Sequence, residues 1–204
     1  MTRKYIASLL LCLPVFLGTV EAATPEKITE TEVLFLYESR NKISMNMHDI
    51  AIQYSKEYRD ATDEFSQQEL STKIYAEITQ KINAAAAQEK VAFTTEIKIS
   101  TYNFDTNSFE TNVSASSIIN FGYYALAFTN GADFSNLHSP VEQAKKIRAA
   151  ADNNGYITIT IDADIMSTSK ENLMLGETKI VYAKIQKLEI VDSETPIATW
   201  HASN

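Results

Sequence analysis

The chain has 204 residues, 18 basic against 26 acidic side chains, a net charge of −8 and 45% hydrophobic residues. That length suits one domain able to bury a majority of its apolar surface. The acidic balance repels nucleic acid and anionic lipid surfaces, so neither is expected as a partner.

Arg3 and Lys4 precede an apolar run from Ile6 to Val20, and Val20-Glu21-Ala22-Ala23 supplies small residues for a peptidase. This is the pattern of a secretory signal peptide cut after Ala22. The run is interrupted by Pro14 and falls short of the roughly 20 residues a transmembrane helix needs, so no membrane span is expected in the mature protein. Cys12 is the single cysteine, and Leu11 stands where a lipoprotein would carry a small residue. The mature domain therefore enters an oxidising compartment with neither disulfide nor thiol. Losing Arg3, Lys4 and Glu21 takes the net charge from −8 to −9. These features place the protein in the periplasm or medium of a bacterium. Asn112-Val113-Ser114 is a formal glycosylation sequon of a kind common by chance.

Residues 1–22 are thus a cleaved signal peptide, 23–31 an extended polar lead-in with Pro25, and 32–204 a single domain. Val33 to Tyr37 opens the folded part as a short helix. A second helix is expected from Met47 to Ala61, where Met47, Ile50, Ala51, Tyr54 and Tyr58 share a face. A third starts near Ser66, with Ser66 and Glu69 as a capping box and Phe65 and Leu70 as a hydrophobic staple. Its stripe of Leu70, Ile74, Ile78, Ile82 and Ala86 runs towards Lys90.

The period then changes to two. Phe93, Thr95, Ile97 and Ile99 alternate with polar residues, as do Phe109, Thr111 and Val113 after the turn cluster Asp105 to Ser108, so the two runs read as a hairpin. Phe121 to Phe128 reads as one buried strand. Ser139-Pro140-Val141-Glu142 starts a helix of about three turns that Asn153-Asn154-Gly155 stops. Ile157 to Ile165 alternates as a clear strand, and a last long strand runs from Glu177 to Val191 with a phase shift near Gln186 or Lys187 that marks a bulge. The fold expected is α+β: N-terminal helices packed on one face of a mostly antiparallel sheet of about five strands, with one helix inserted between strand pairs.

Few constellations carry chemistry. Asp162 and Asp164, two apart on a strand, project from one face and form the candidate metal or acid-base pair. The competing reading is a solvated charge ladder with Lys184 and Lys187 on a neighbouring strand. Asp152-Asn153-Asn154-Gly155 starts like a calcium loop, but the glycine comes too early and Ala163 stands where the bidentate acid belongs. His48, His138 and His201 show no zinc spacing, and only His48, beside Asp49, adjoins a carboxylate. Ser167-Thr168-Ser169-Lys170 matches S-x-x-K without its companion motifs and is expected to be a polar loop. The aromatic segment of Phe121, Tyr123 and Tyr124 is the candidate ligand-binding surface, because tyrosines combine broad apolar faces with a polar tip. No catalytic residue set and no cofactor are expected.

Glu57 to Phe65, Glu-Tyr-Arg-Asp-Ala-Thr-Asp-Glu-Phe, followed by Tyr102-Asn103-Phe104-Asp105 and Phe109, resembles a family of small exported bacterial proteins known only as a domain of unknown function. The resemblance implies export and an α+β fold, and no activity. The sequence thus favours a non-catalytic envelope or secreted module that binds a protein or small-molecule ligand. The alternatives are a metal-dependent or carboxylate-based hydrolase using Asp162 and Asp164, and a structural assembly subunit.

Overall fold

Each N-terminal helix is set by its cap. In a computed structural model that describes residues 27–41, 46–173, 176–193 and 195–203, helix α1 (Glu30–Glu38) begins earlier than the apolar run suggested. Thr29 and Glu32 close a capping box there: the Thr29 hydroxyl accepts from the Glu32 amide at 3.2 Å, and the Glu32 carboxylate accepts from the Thr29 amide at 2.7 Å. The expected second helix is two, α2 (Met47–Tyr54) and α3 (Lys56–Asp60). Ser55 breaks them, because its extended backbone lets its hydroxyl accept from the Tyr58 amide at 3.1 Å and cap the second piece. Helix α4 (Glu64–Ala86) is capped by Asp63 rather than Ser66, and Phe65 is exposed, so the expected staple does not form. Arg40 then ties α1 to α4, its guanidinium donating to the carbonyls of Leu36, Ala85 and Gln88 at the two helix C-termini.

Strand β1 (Lys90–Lys98) does not form a hairpin with Phe109 to Val113. It pairs antiparallel over nine residues with β6 (Tyr156–Leu173), Phe93 facing Ile161 and Ile97 facing Ile157. Two matched alternating strands bury more than a short neighbour can. The expected pairing survives only beyond the end of β1, where isolated bridges join Ile99 to Thr111 and Asn103 to Ser108. There the Ser100 amide donates to the Glu110 carbonyl at 2.8 Å and the Asn112 amide to the Lys98 carbonyl at 3.1 Å. β2 (Ser108–Glu110) itself pairs with β5 (Asn136–His138). The Phe121 to Phe128 run is also interrupted. β3 (Ile118–Phe121) and β4 (Tyr124–Phe128) form a hairpin closed by Gly122 and Tyr123, with Gly122 at φ +64°. Glycine adopts that conformation without a Cβ clash, which is why the chain can reverse there.

Helix α5 (Val141–Ala150) forms at the expected place but one residue later and without the expected capping box: Pro140 is its N-cap, no side chain caps it, and the Ser139 hydroxyl donates to Gln143 Oε1 at 2.9 Å. The helix ends at Ala150, and Asp152 opens the turn into β6, its carboxylate accepting from the amides of Asn154 and Tyr156 at 2.8 Å. β6 runs on through Ser167 to Lys170, which is strand and not loop, because β7 (Gly176–Asp192) folds back along its whole length. Ser167 and Lys170, three apart on a strand, point to opposite faces, so S-x-x-K chemistry has no geometry here. The phase shift near Gln186 is a bulge: Asp162 faces Lys187 while Ala163 faces Ile185. β8 (Thr195–His201), not anticipated, pairs with the second half of β7, and β4 pairs parallel with the first half.

The result is α+β, with a six-stranded, mostly antiparallel sheet ordered β1-β6-β7-β4-β3 and β8 beside β7. One face carries Phe93, Ile159, Ile161, Leu126, Val181, Ile185 and Leu188 into a single core with Leu36 of α1, Ile78 of α4 and Ile147 of α5. The opposite face carries the polar row that includes Asp162, Asp164 and Lys187.

Candidate functional site

The aromatic segment splits along its hairpin. Phe121 packs half-buried against the core, Tyr124 is fully buried, and Tyr123 between them is 68% exposed at the turn. Tyr124 therefore does not line an outward groove. Its place in strand phase with Leu126 and Phe128 sends the ring into the core, and Tyr123 alone of the three offers its ring to solvent.

What Tyr124 meets inside was not anticipated from the sequence. Glu38, the last residue of α1, has a side chain with 0% exposure. Its Oε1 accepts from Lys179 Nζ at 2.8 Å and from the Tyr124 hydroxyl at 3.0 Å, and Nζ and that hydroxyl are 3.1 Å apart. Tyr124 and Lys179 are side by side in the parallel β4–β7 pairing. Lys179 Nζ also lies 4.9 Å from the Tyr124 ring centroid and 5.6 Å from that of Tyr37, a cation held between two aromatic faces. Glu38 Oε2 is buried with no partner among the described residues. A carboxylate at the negative end of a helix, half-satisfied and out of water, is costly. Burial, then the charge of Glu38, pushes the Tyr124 phenol well above its ordinary range, so it stays a donor.

Asp162 and Asp164 do share the polar sheet face, and they line a hollow of about 570 Å³ together with Lys90, Gln186, Lys187 and His201. Their partners differ. Asp162 bonds Lys187 Nζ at 2.8 Å, and Lys187 reaches Glu189 at 3.1 Å. The hydrogen bond to Asp162 raises the Lys187 ammonium above its usual range. Asp164 Oδ2 accepts from Gln186 Nε2 at 2.8 Å, while its Oδ1 is buried without a partner among the described residues. The cross-strand ladder is thus formed at Asp162, through Lys187. No group of three or more histidine, cysteine or acidic side chains suited to a metal ion occurs among the described residues.

The histidines lie apart. His48 Nδ1 is 2.9 Å from the Tyr58 hydroxyl, which is 3.0 Å from that of Tyr75, so it joins a chain of phenols instead of pairing with Asp49. That bond pushes the Tyr75 phenol up to about 12. His138 Nδ1 is 3.2 Å from the Thr106 carbonyl.

A family model described as a domain of unknown function, DUF4852, matches residues 44–148, just over half of the chain. The chain belongs to this family. The matched stretch contains Tyr123 and Tyr124 as well as the segments at 57–65 and 102–109, whereas Asp162, Asp164 and Lys179 lie beyond it. No curated protein matches the chain, and no solved structure does. No described helix is long and apolar enough to cross a membrane. The expected signal peptide and its cleavage site lie outside the described residues.

Proposed function

We propose that this member of the DUF4852 family is an exported, non-catalytic binding module of the bacterial cell envelope, delivered by the signal peptide of residues 1–22. It holds a protein or small-molecule ligand through the β3–β4 turn. The observation that carries this reading is Tyr123. A large ring stands 68% exposed at the tip of a two-residue turn whose flanking residues, Phe121 and Tyr124, are anchored in the core. A rigidly mounted aromatic side chain loses little conformational freedom when it is covered, which is why such residues dominate recognition energetics. The hydrolase alternative has less support, because Lys187 already neutralises Asp162 and Gln186 occupies one oxygen of Asp164.

The test is native mass spectrometry of the protein purified gently from the envelope fraction of its own host, beside a Tyr123→Ala variant. The wild-type chain is expected to start at Ala23 and to carry a released, identifiable species. The variant should lose that species while keeping its thermal unfolding midpoint. Equal retention by the variant, or no bound species on the wild type, overturns the reading.

A further inference from the structure

A second surface has the form of a ligand site and lies apart from the β3–β4 turn, the Glu38 cluster and the Asp162–Asp164 hollow. Between α5 and the turn at residues 102–108 lies an open groove of about 490 Å³, lined by Tyr102, Phe104, Val141, Ala144, Lys145 and Arg148. Its lining is almost wholly apolar, with Phe104 71% and Val141 39% exposed. In water such a surface is a standing cost unless something covers it.

The groove is built, not fluid. The Tyr102 hydroxyl donates to the Ser139 carbonyl at 2.7 Å and lies 3.2 Å from Asn107 Oδ1, which pins that ring between the two walls. Tyr102 packs on buried Phe109 at 5.1 Å between ring centroids, and Phe104 stands edge-on to Tyr102 at 5.0 Å. Asn103 Oδ1 accepts from the amides of Asp105 and Thr106, holding the turn that carries Phe104. On the other wall Val141, Ala144, Lys145 and Arg148 follow the three- and four-residue spacing of one helical face, and the small Ala144 leaves room above it.

Charge selects the occupant. Lys145 is paired with Glu142 at 2.6 Å, but the Arg148 guanidinium has no hydrogen-bond or ion-pair partner among the described residues. An unpaired guanidinium beside an apolar trough is a charge-complementary partner for an anion, the more so on a chain whose net charge is −8. The size also selects. A stable protein partner covers roughly 800 Å² per side, whereas small-molecule sites run to about 300–1,000 Å³.

From these observations we infer that the groove between α5 and the Phe104 turn binds a small anionic amphiphile, its aliphatic chain laid against Phe104, Val141 and Ala144 and its carboxylate on Arg148. The probe is dodecanoate below its micellar concentration, titrated calorimetrically into the mature protein, with dodecyltrimethylammonium as the cationic match of equal chain length. Dodecanoate should bind saturably at one site and perturb the methyl resonances of Val141 and Ala144. Arg148→Gln should weaken it on the order of tenfold, the size of one charge-assisted hydrogen bond. Phe104→Ala should also weaken it, and the cationic match should bind at least about tenfold less tightly. Both residues are at the surface, so the variants' thermal midpoints should match wild type. Equal affinity for the two amphiphiles, no saturable binding, resonance changes only elsewhere, or dodecanoate affinity unchanged in either variant would overturn the assignment.

Discussion

Replacing Lys179 by methionine tests the Glu38 cluster most sharply. The substitution keeps the length of the side chain but leaves a carboxylate with 0% exposure holding one donor, the Tyr124 hydroxyl, at 3.0 Å. Breaking a buried pair in this way costs about 3–5 kcal/mol, and the upper half of that range applies because Glu38 cannot reach water. Glu38→Leu should cost less, about 2–3 kcal/mol, because the Lys179 side chain is 22% exposed and can turn its ammonium outward. The double variant removes both charges and leaves only the Tyr124 hydroxyl without its partners, a penalty of about 1–3 kcal/mol. It should therefore be more stable than Lys179→Met alone, and the two single effects should miss additivity by at least about 2 kcal/mol. Urea unfolding of the mature chain and its three variants at neutral pH measures all four quantities. A Lys179→Met cost below about 1 kcal/mol, the size of an exposed surface pair, would refute the reasoning, as would additive single effects.

Two further outcomes follow from the close backbone packing and the buried phenols. A Cβ at Gly131 would lie 2.1 Å from the Ser114 carbonyl oxygen, so Gly131→Ala must push two backbone segments apart. It should cost about 1–3 kcal/mol in the same assay, and stability within about 0.5 kcal/mol of wild type would show that the contact is absent. Burial raises the Tyr124 phenol, and its bond to Tyr58 raises that of Tyr75, both above the ordinary 10.0. A group whose folded pKa exceeds its unfolded value stabilises fully below the unfolded pKa and loses that contribution as pH climbs. Stability should hold to about pH 10 and then fall steeply, and Tyr124→Phe should make the fall shallower. An alkaline unfolding profile unchanged by Tyr124→Phe contradicts the buried-phenol account.

The strands were legible where their side-chain alternation is intrinsic, and the partners were not. Ile157 to Ile165 declared itself by period, and the bulge at Gln186 declared itself as a break in that period. The local hairpin forms only from Ile99 onward, because a sequence shows proximity along the chain, whereas the main partner of β1, β6, begins nearly sixty residues later. The polar stretch Ser167 to Lys170 becomes strand only because β7 folds back on it, a tertiary effect that its own composition opposes. At Gly122 a single glycine outweighed the apolar continuity of Phe121 to Phe128.

The Glu38 cluster shows a signal that was present in the sequence yet carried no weight. Lys179 stands in strand phase with Val181, Ala183 and Ile185, three residues that are fully buried, so its ammonium was already committed to the core face of β7. Glu38 likewise closes the unbroken buried run from Val33. A charged residue in register with a core face must find its opposite there, since neither charge is tolerated alone. What the sequence could not supply is that these two, 141 positions apart, answer each other. That follows only from α1 crossing β4 and β7, and the same crossing sends Tyr124 inward while its neighbour Tyr123 is left at the surface.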